Sequence, residues 1–281
     1  MQQFVSRYLT HFVGRRAMEE FGAAEREEQQ YGTLSAILRT GYLAEHQGAA
    51  PGVTAYSVGV DSTPFCSNEM IDISPICFCD IPLNDLGVHM GKYGEFGLCF
   101  LKRFLIERGA SPVFYVAMNA FVRVTANDVR QTRRDYFNQM VREYSPLRAF
   151  IFSGGAEPEL EDQDLHQLLR SCPELRDDPA VGKLHPRLEA LTGFFDAHVL
   201  GFVKCFDDQL PADSESNFYM EREWRTATRV DFTPADIAHV ILPRRYERRL
   251  QQEFPAIPRR RIRLAEDCKG RWWRISTWLG E

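Results

Sequence analysis

Two glutamates, Glu221 and Glu223, stand two residues apart, and Arg225 follows at the same spacing. The stretch 218–228 (Phe-Tyr-Met-Glu-Arg-Glu-Trp-Arg-Thr-Ala-Thr) alternates apolar and polar residues and reads as a strand. Its period of two would put Glu221, Glu223 and Arg225 on one face and Met220, Arg222 and Trp224 on the other. Paired carboxylates beside an arginine can stabilise a cationic transition state or exchange protons. The bland alternative is a salt-bridged outer face, worth less than about 1 kcal/mol per pair. Two further candidates lie upstream. His11, with Thr10 before it, sits in the apolar run 4–13, where a satisfied core histidine is the competing reading. Tyr93 sits in the segment 75–100, where it could simply pack.

Other chemistries find little support. Cys66, Cys77, Cys79 and His89 lack the doubled two-to-four-residue spacing of a zinc site. There is no Gly-x-Ser-x-Gly elbow, no Gly-x-Gly-x-x-Gly turn and no Walker-type loop. With 44% hydrophobic and 26% charged residues, the chain has an ordinary globular composition. It shows no membrane-length apolar run and no signal-peptide core, and its odd seven cysteines suit a reducing compartment. A cytoplasmic protein is therefore expected. The net charge of −5 hides an asymmetry, because residues 222–274 hold fourteen Lys and Arg against seven Asp and Glu. That basic C-terminal third could meet a nucleic acid, although solvated arginine faces explain it more simply.

Positioning these residues requires a scaffold of short strands. The runs 4–13, 76–81, 96–100, 111–117, 198–206, 239–242 and 259–264 read as strands, in addition to 218–228. Between the second and third runs lies a polar, glycine-bearing loop carrying Asp80, Asp85, His89, Lys92 and Tyr93. The two acids there read as turn and cap residues. Helices are expected at 33–40 (Thr33 as N-cap, Gly41 as stop), 101–108 (ended by Gly109), 128–144 and 246–254, with a helical turn at 233–236. The acidic, proline-bearing stretch 154–186 marks an insertion spanning about 145–195, with a short helix around 164–170. The expectation is one α+β domain over residues 1–281 with surrounding helices and that insertion.

Several segments together carry a resemblance: Ser6-Arg-Tyr-Leu-Thr-His-Phe-Val-Gly-Arg15, Thr33-Leu-Ser-Ala-Ile-Leu-Arg-Thr-Gly41, Cys77-Phe-Cys-Asp-Ile-Pro-Leu-Asn-Asp-Leu86, His89-Met-Gly-Lys-Tyr-Gly-Glu-Phe-Gly97, Pro112-Val-Phe-Tyr115 and Glu221-Arg-Glu-Trp-Arg225. They resemble the AbiGi-type abortive-infection proteins of bacterial phage resistance. That likeness implies anti-phage defence and a cognate toxin or antitoxin partner. More distantly, the order of an early His strand, a Leu-x-x-Ile-Leu-x-x-Gly helix and a late Glu strand resembles the ADP-ribosyltransferase fold, including DarT-type DNA modifiers. This second likeness implies a split mixed β-sheet core with a cleft for NAD. In it His11 and Thr10 would hold the dinucleotide, Tyr93 would stack on nicotinamide, Arg225 would assist binding, and Glu223 or Glu221 would meet the ribose. Glu223 is the first choice, because Trp224 beside it could dry the site. The implied activity is NAD cleavage, or ADP-ribosylation of a nucleic acid or protein. The alternative is a non-catalytic antitoxin covering a toxin's basic site.

Overall fold

The computed structural model describes residues 6–14, 20, 22–44, 58–60, 71–73, 75–117, 119–123, 130–152, 179–207, 209–211 and 218–269. In chain order its elements begin with β1 (Tyr8–Phe12), α1 (Ala23–Thr40), β2 (Tyr42–Leu43), β3 (Val58–Val60), β4 (Ile71–Ile73) and β5 (Ile76–Cys79). Then come α2 (Gly87–Tyr93), β6 (Gly97–Leu101), α3 (Lys102–Ile106), β7 (Ser111–Pro112), β8 (Phe114–Ala117), β9 (Phe121–Arg123) and β10 (Arg130–Thr132). The remainder is α4 (Arg133–Phe152), α5 (Pro179–His198), β11 (Val203–Phe206), β12 (Glu223–Thr226), β13 (Val230–Asp231), β14 (Ile237–Leu242), α6 (Glu247–Glu253) and β15 (Ile262–Leu264). The class is α+β, as expected. The expected helix at 164–170 and the acids around it lie outside the described residues.

The chain divides into two compact units, Met1–Tyr56 with Ser74–Val113 and Gln209–Glu281, and Ser57–Ile73 with Phe114–Asp208. The second therefore takes in more of the chain than the insertion expected at 145–195. It holds the small sheets β3–β4 and β9–β10, the parallel pair β8–β11, and helices α4 and α5. Val116 and Val141 centre its core. Between its helices, Tyr144 donates to Asp196 at 2.7 Å and Arg148 pairs with the same carboxylate at 2.6 Å.

The first unit is built on a seven-stranded mixed sheet in the order β15-β14-β6-β1-β5-β12-β7. The pair β14–β15 is parallel and the other pairings are antiparallel. One face carries Leu9, Phe78, Leu98, Phe100, Val240 and Leu242, covered by Tyr31 and Leu34 of α1, Leu105 of α3 and Leu250 of α6. The other face carries Cys79, Cys99 and Ile241, covered by Leu86 and Met90 around α2 and by Cys268. Helix α1 is continuous from Ala23, so Thr33 is no cap; its hydroxyl donates to the Gln29 carbonyl one turn back. Burial of Tyr31 and Leu34 on one stripe carries the helix through that point. Gly41 stops it as expected, in the left-handed region at φ 72°.

Four local expectations change. The loop expected between β5 and β6 contains α2, a helix held by the burial of Leu86 and Met90 four residues apart. Strand β12 is shorter than 218–228, because residues Phe218–Glu221 wind into a 3-10 turn. Residues 198–206 are a helix end, a 3-10 turn and only then β11, since the turn buries Leu200 and Phe202. The helix expected at 128–144 gives way to β10 at Arg130–Thr132 and runs instead from Arg133 to Phe152, whereas the turn expected at 233–236 forms, with Asp236 N–H donating to the Thr233 carbonyl at 3.0 Å.

Gly32 lies mid-helix in α1, with open space where a Cβ would stand. Gly32→Ala is expected to raise stability by about 0.5–1 kcal/mol, because alanine loses less backbone freedom in a helix. A denaturant titration would read this as a higher midpoint at an unchanged slope.

Candidate functional site

The register of the large sheet sorts the candidate residues. His239, Cys99, Thr10, Cys79 and Glu223 are successive Cα partners across five strands, so they form one row on one face. Arg225 shares that face with Glu223, two residues along the same strand. His11 belongs to the opposite face. It alternates with Thr10, partners Leu98 and lies 5.7 Å from the Phe78 ring. Trp224 partners Phe78 and so also faces that side. The expected cleft in which His11, Tyr93 and Glu223 converge is therefore not the arrangement of these strands, and Trp224 does not dry the surroundings of Glu223. A period of two sets faces within each strand, but only the register between strands relates them.

His11 has a structural task. Strands β1 and β5 share the one registered pair Thr10↔Cys79. Beyond it, the imidazole Nδ1 lies 2.8 Å from the Cys77 carbonyl, taking the place of a backbone donor. Burial lowers the His11 pKa, and the Cys77 hydrogen bond only partly opposes the shift. His239 is lowered too, by burial and then by Arg263. A depressed histidine binds its proton less readily folded than unfolded, so stability is lost as pH falls below the unfolded value of 6.5. The unfolding midpoint should accordingly drop between pH 7.5 and pH 5.5, and less steeply in a His239→Gln variant.

The residues that do converge surround Glu221. Its side chain is buried, at 5% exposure, and Oε1 accepts from the Tyr93 hydroxyl at 2.5 Å and from Lys92 Nζ at 2.6 Å. Tyr93 and Lys92 come from the last turn of α2. The Phe12 ring stacks on Tyr93 and on His89, at centroid separations of 6.5 and 6.4 Å. Lys92 also lies over the Phe218 ring at 4.5 Å. Glu223 is buried as well, but Arg225 Nε holds it at 2.7 Å and both side chains are under one-tenth exposed. Arg225 therefore neutralises Glu223 inside the protein. Between the two glutamates, Arg222 takes φ 44°, uncommon for a residue with a β-carbon, and its carbonyl accepts from Asp80 N–H at 3.0 Å. Strained backbone held by neighbouring hydrogen bonds tends to mark functional positions.

The role of Lys92 beside Glu221 escaped the sequence reading. The signal was the Leu86–Met90 spacing followed by Gly94, which defines a helix ending in Lys92 and Tyr93. Asp80, read there as a turn residue, is a buried hub. It accepts from Ser6 N–H at 3.0 Å and pairs with Lys102 at 2.8 Å. Lys102 lies over the Trp224 ring at 5.3 Å.

Chemically, the Glu221 cluster offers a desolvated carboxylate with two charge-assisted donors, next to stacked aromatic rings. Among the described residues, no group of three or more His, Cys, Asp and Glu could hold a metal ion, and no helix is long and apolar enough to cross a membrane.

Residues 62–245 match the model of a family described as "Putative abortive phage resistance protein AbiGi, antitoxin", a span that includes Lys92, Tyr93, Glu221 and Glu223. The chain is also similar to the abortive phage resistance protein AbiGi of Lactococcus lactis subsp. cremoris, 25% identical over 186 residues, which cover 59% of this chain and 70% of that protein. No solved structure matches.

Proposed function

The chain belongs to the AbiGi family of abortive phage resistance proteins, and from that premise we propose that it serves anti-phage defence by breaking the nicotinamide–ribose bond of NAD. The observation that carries this reading is the buried Glu221 carboxylate held by Tyr93 and Lys92 against the Phe12 ring. In such a cleavage the bond from ribose C1′ to the pyridinium nitrogen breaks. The electron pair leaves with nicotinamide, and C1′ becomes oxocarbenium-like. A fixed carboxylate in a dry pocket stabilises that cation. Water, or a nucleophile on a nucleic acid or protein, then bonds to C1′ and gives up a proton. Glu221 supplies the charge, Lys92 and Tyr93 aim it, and Phe12 with Tyr93 offers an aromatic wall. Thr10 shares that face of the sheet, whereas Glu223 and Arg225 brace the strand.

The test is nicotinamide release from NAD by the purified chain, and ADP-ribose labelling of macromolecules in phage-infected cells. Release that depends on Glu221 supports the reading; neither release nor labelling overturns it. A second reading, a non-catalytic antitoxin, is favoured by the wording of the family description. It expects the chain to co-purify in fixed stoichiometry with a toxin and to leave cellular NAD untouched. Under that reading the Glu221 cluster only braces the fold.

A further inference from the structure

On the first unit, α6, β15 and the turns beside them enclose a cleft of about 370 Å³. Arg244, Arg259 and Arg263 line it, together with Glu247, Asp267 and Cys268. The stretch 244–263 holds eight arginines against two acids, Glu247 and Glu253. Both acids are already engaged, Glu247 by Arg259 at 2.9 Å and Glu253 by Arg249 at 3.0 Å and Arg39 at 2.7 Å. Arg245 pairs with Glu27, and Arg261 donates to the Pro234 carbonyl at 2.5 Å. Arg244, Arg248, Arg260 and Arg263 remain. Their side chains are exposed and have no side-chain hydrogen bond or ion pair among the described residues.

Exposed arginines are ordinarily a solvated face. Here, however, both acids within 244–263 are engaged, three arginines meet at a concavity that Asp267 only partly offsets, and each guanidinium presents the flat donor fork that fits phosphate oxygens. No aromatic ring lines the cleft, so it offers no platform for a base and no pocket for a free nucleotide. We propose that this arginine surface binds the phosphodiester backbone of a nucleic acid, without reading its sequence. Contacts to phosphate position a strand and carry its affinity without themselves reading its sequence. The proposal holds whether or not the Glu221 site turns over NAD, because binding can be measured without NAD.

The experiment titrates the full chain with a fluorescent 20-mer, as duplex DNA and as single-stranded RNA, from 50 to 300 mM salt. The expected result is binding that weakens linearly in log–log form. Arg244→Gln/Arg260→Gln/Arg263→Gln should weaken it by about ten-fold or more and flatten the slope by about two to three, given a slope of about 0.9 per phosphate contacted. Because these side chains are exposed, the variant should keep the wild-type circular dichroism and melting profile. Arg103→Gln, an exposed control on α3, should bind as wild type. Absence of binding at 50 mM salt, or equal affinity in the triple variant, would overturn the proposal. So would saturation by inorganic phosphate or ADP at concentrations that leave the strands unbound.

Discussion

Replacing Glu221 with glutamine is expected to lower NAD turnover by about two to three orders of magnitude, the usual cost of removing one fixed group that stabilises transition-state charge. Glutamine keeps the shape and can still accept from Tyr93 and Lys92, which contact Oε1 at 2.5 and 2.6 Å. Only the negative charge goes, so the loss should fall on kcat more than on KM. Glu223→Gln makes the contrast informative. It removes the charge that Arg225, a side chain 9% exposed, holds at 2.7 Å, and breaking a buried ion pair from one side costs roughly 3–5 kcal/mol. Its damage should therefore appear in the unfolding midpoint, while the protein that remains folded turns over NAD faster than Glu221→Gln does. Equal activity in wild type and Glu221→Gln would remove this carboxylate from the chemistry. If neither protein releases nicotinamide, the antitoxin reading gains.

What the sequence discloses about this arrangement follows from the range of the interactions. Strands β5 and β6 were legible because each is a compact apolar run; α3 was legible as a short helix ahead of Gly109, although it already ends at Ile106 with Glu107 as its C-cap. The glutamate pair was legible as a constellation, but its internal division was not. Which carboxylate meets a tyrosine and which an arginine depends on the 3-10 turn before β12 and the φ of Arg222. Helix α2 was hidden for a different reason. Seven residues with two glycines are too few to be helical alone, so packing of Leu86 and Met90 onto the sheet must hold them. The side of the sheet taken by His11 was hidden as well. It follows from the pairing of Thr10 with Cys79 and Cys99, contacts across 69 and 89 positions of chain. A slip of one residue in that register would exchange His11 and Thr10 between the faces.

Gly14→Ala is expected to cost about 3 kcal/mol, at the upper end of ordinary overpacking, and to impair the Glu221 site at the same time. A Cβ on Gly14 would stand 2.3 Å from the Tyr93 carbonyl oxygen and 2.7 Å from Gln30 Nε2. The glutamine is itself confined, because a Cβ on Gly94 would come within 2.3 Å of the same nitrogen. Gln30 is 2% exposed and cannot swing out into water without unpacking α1. The carbonyl is backbone at the end of α2, so relieving the clash means shifting the turn that carries Lys92 and Tyr93. Movement of an ångström there would break hydrogen bonds of 2.5 and 2.6 Å to Glu221. The melting temperature should fall by roughly 6–12 °C for a chain of this size. Gly32→Ala adds the same methyl group on α1 with no atom within 4 Å, and it should not fall at all. If Gly14→Ala melts with the wild type and retains its NAD turnover, then the close approach of the β1 exit to Tyr93 neither stabilises the first unit nor aims the tyrosine.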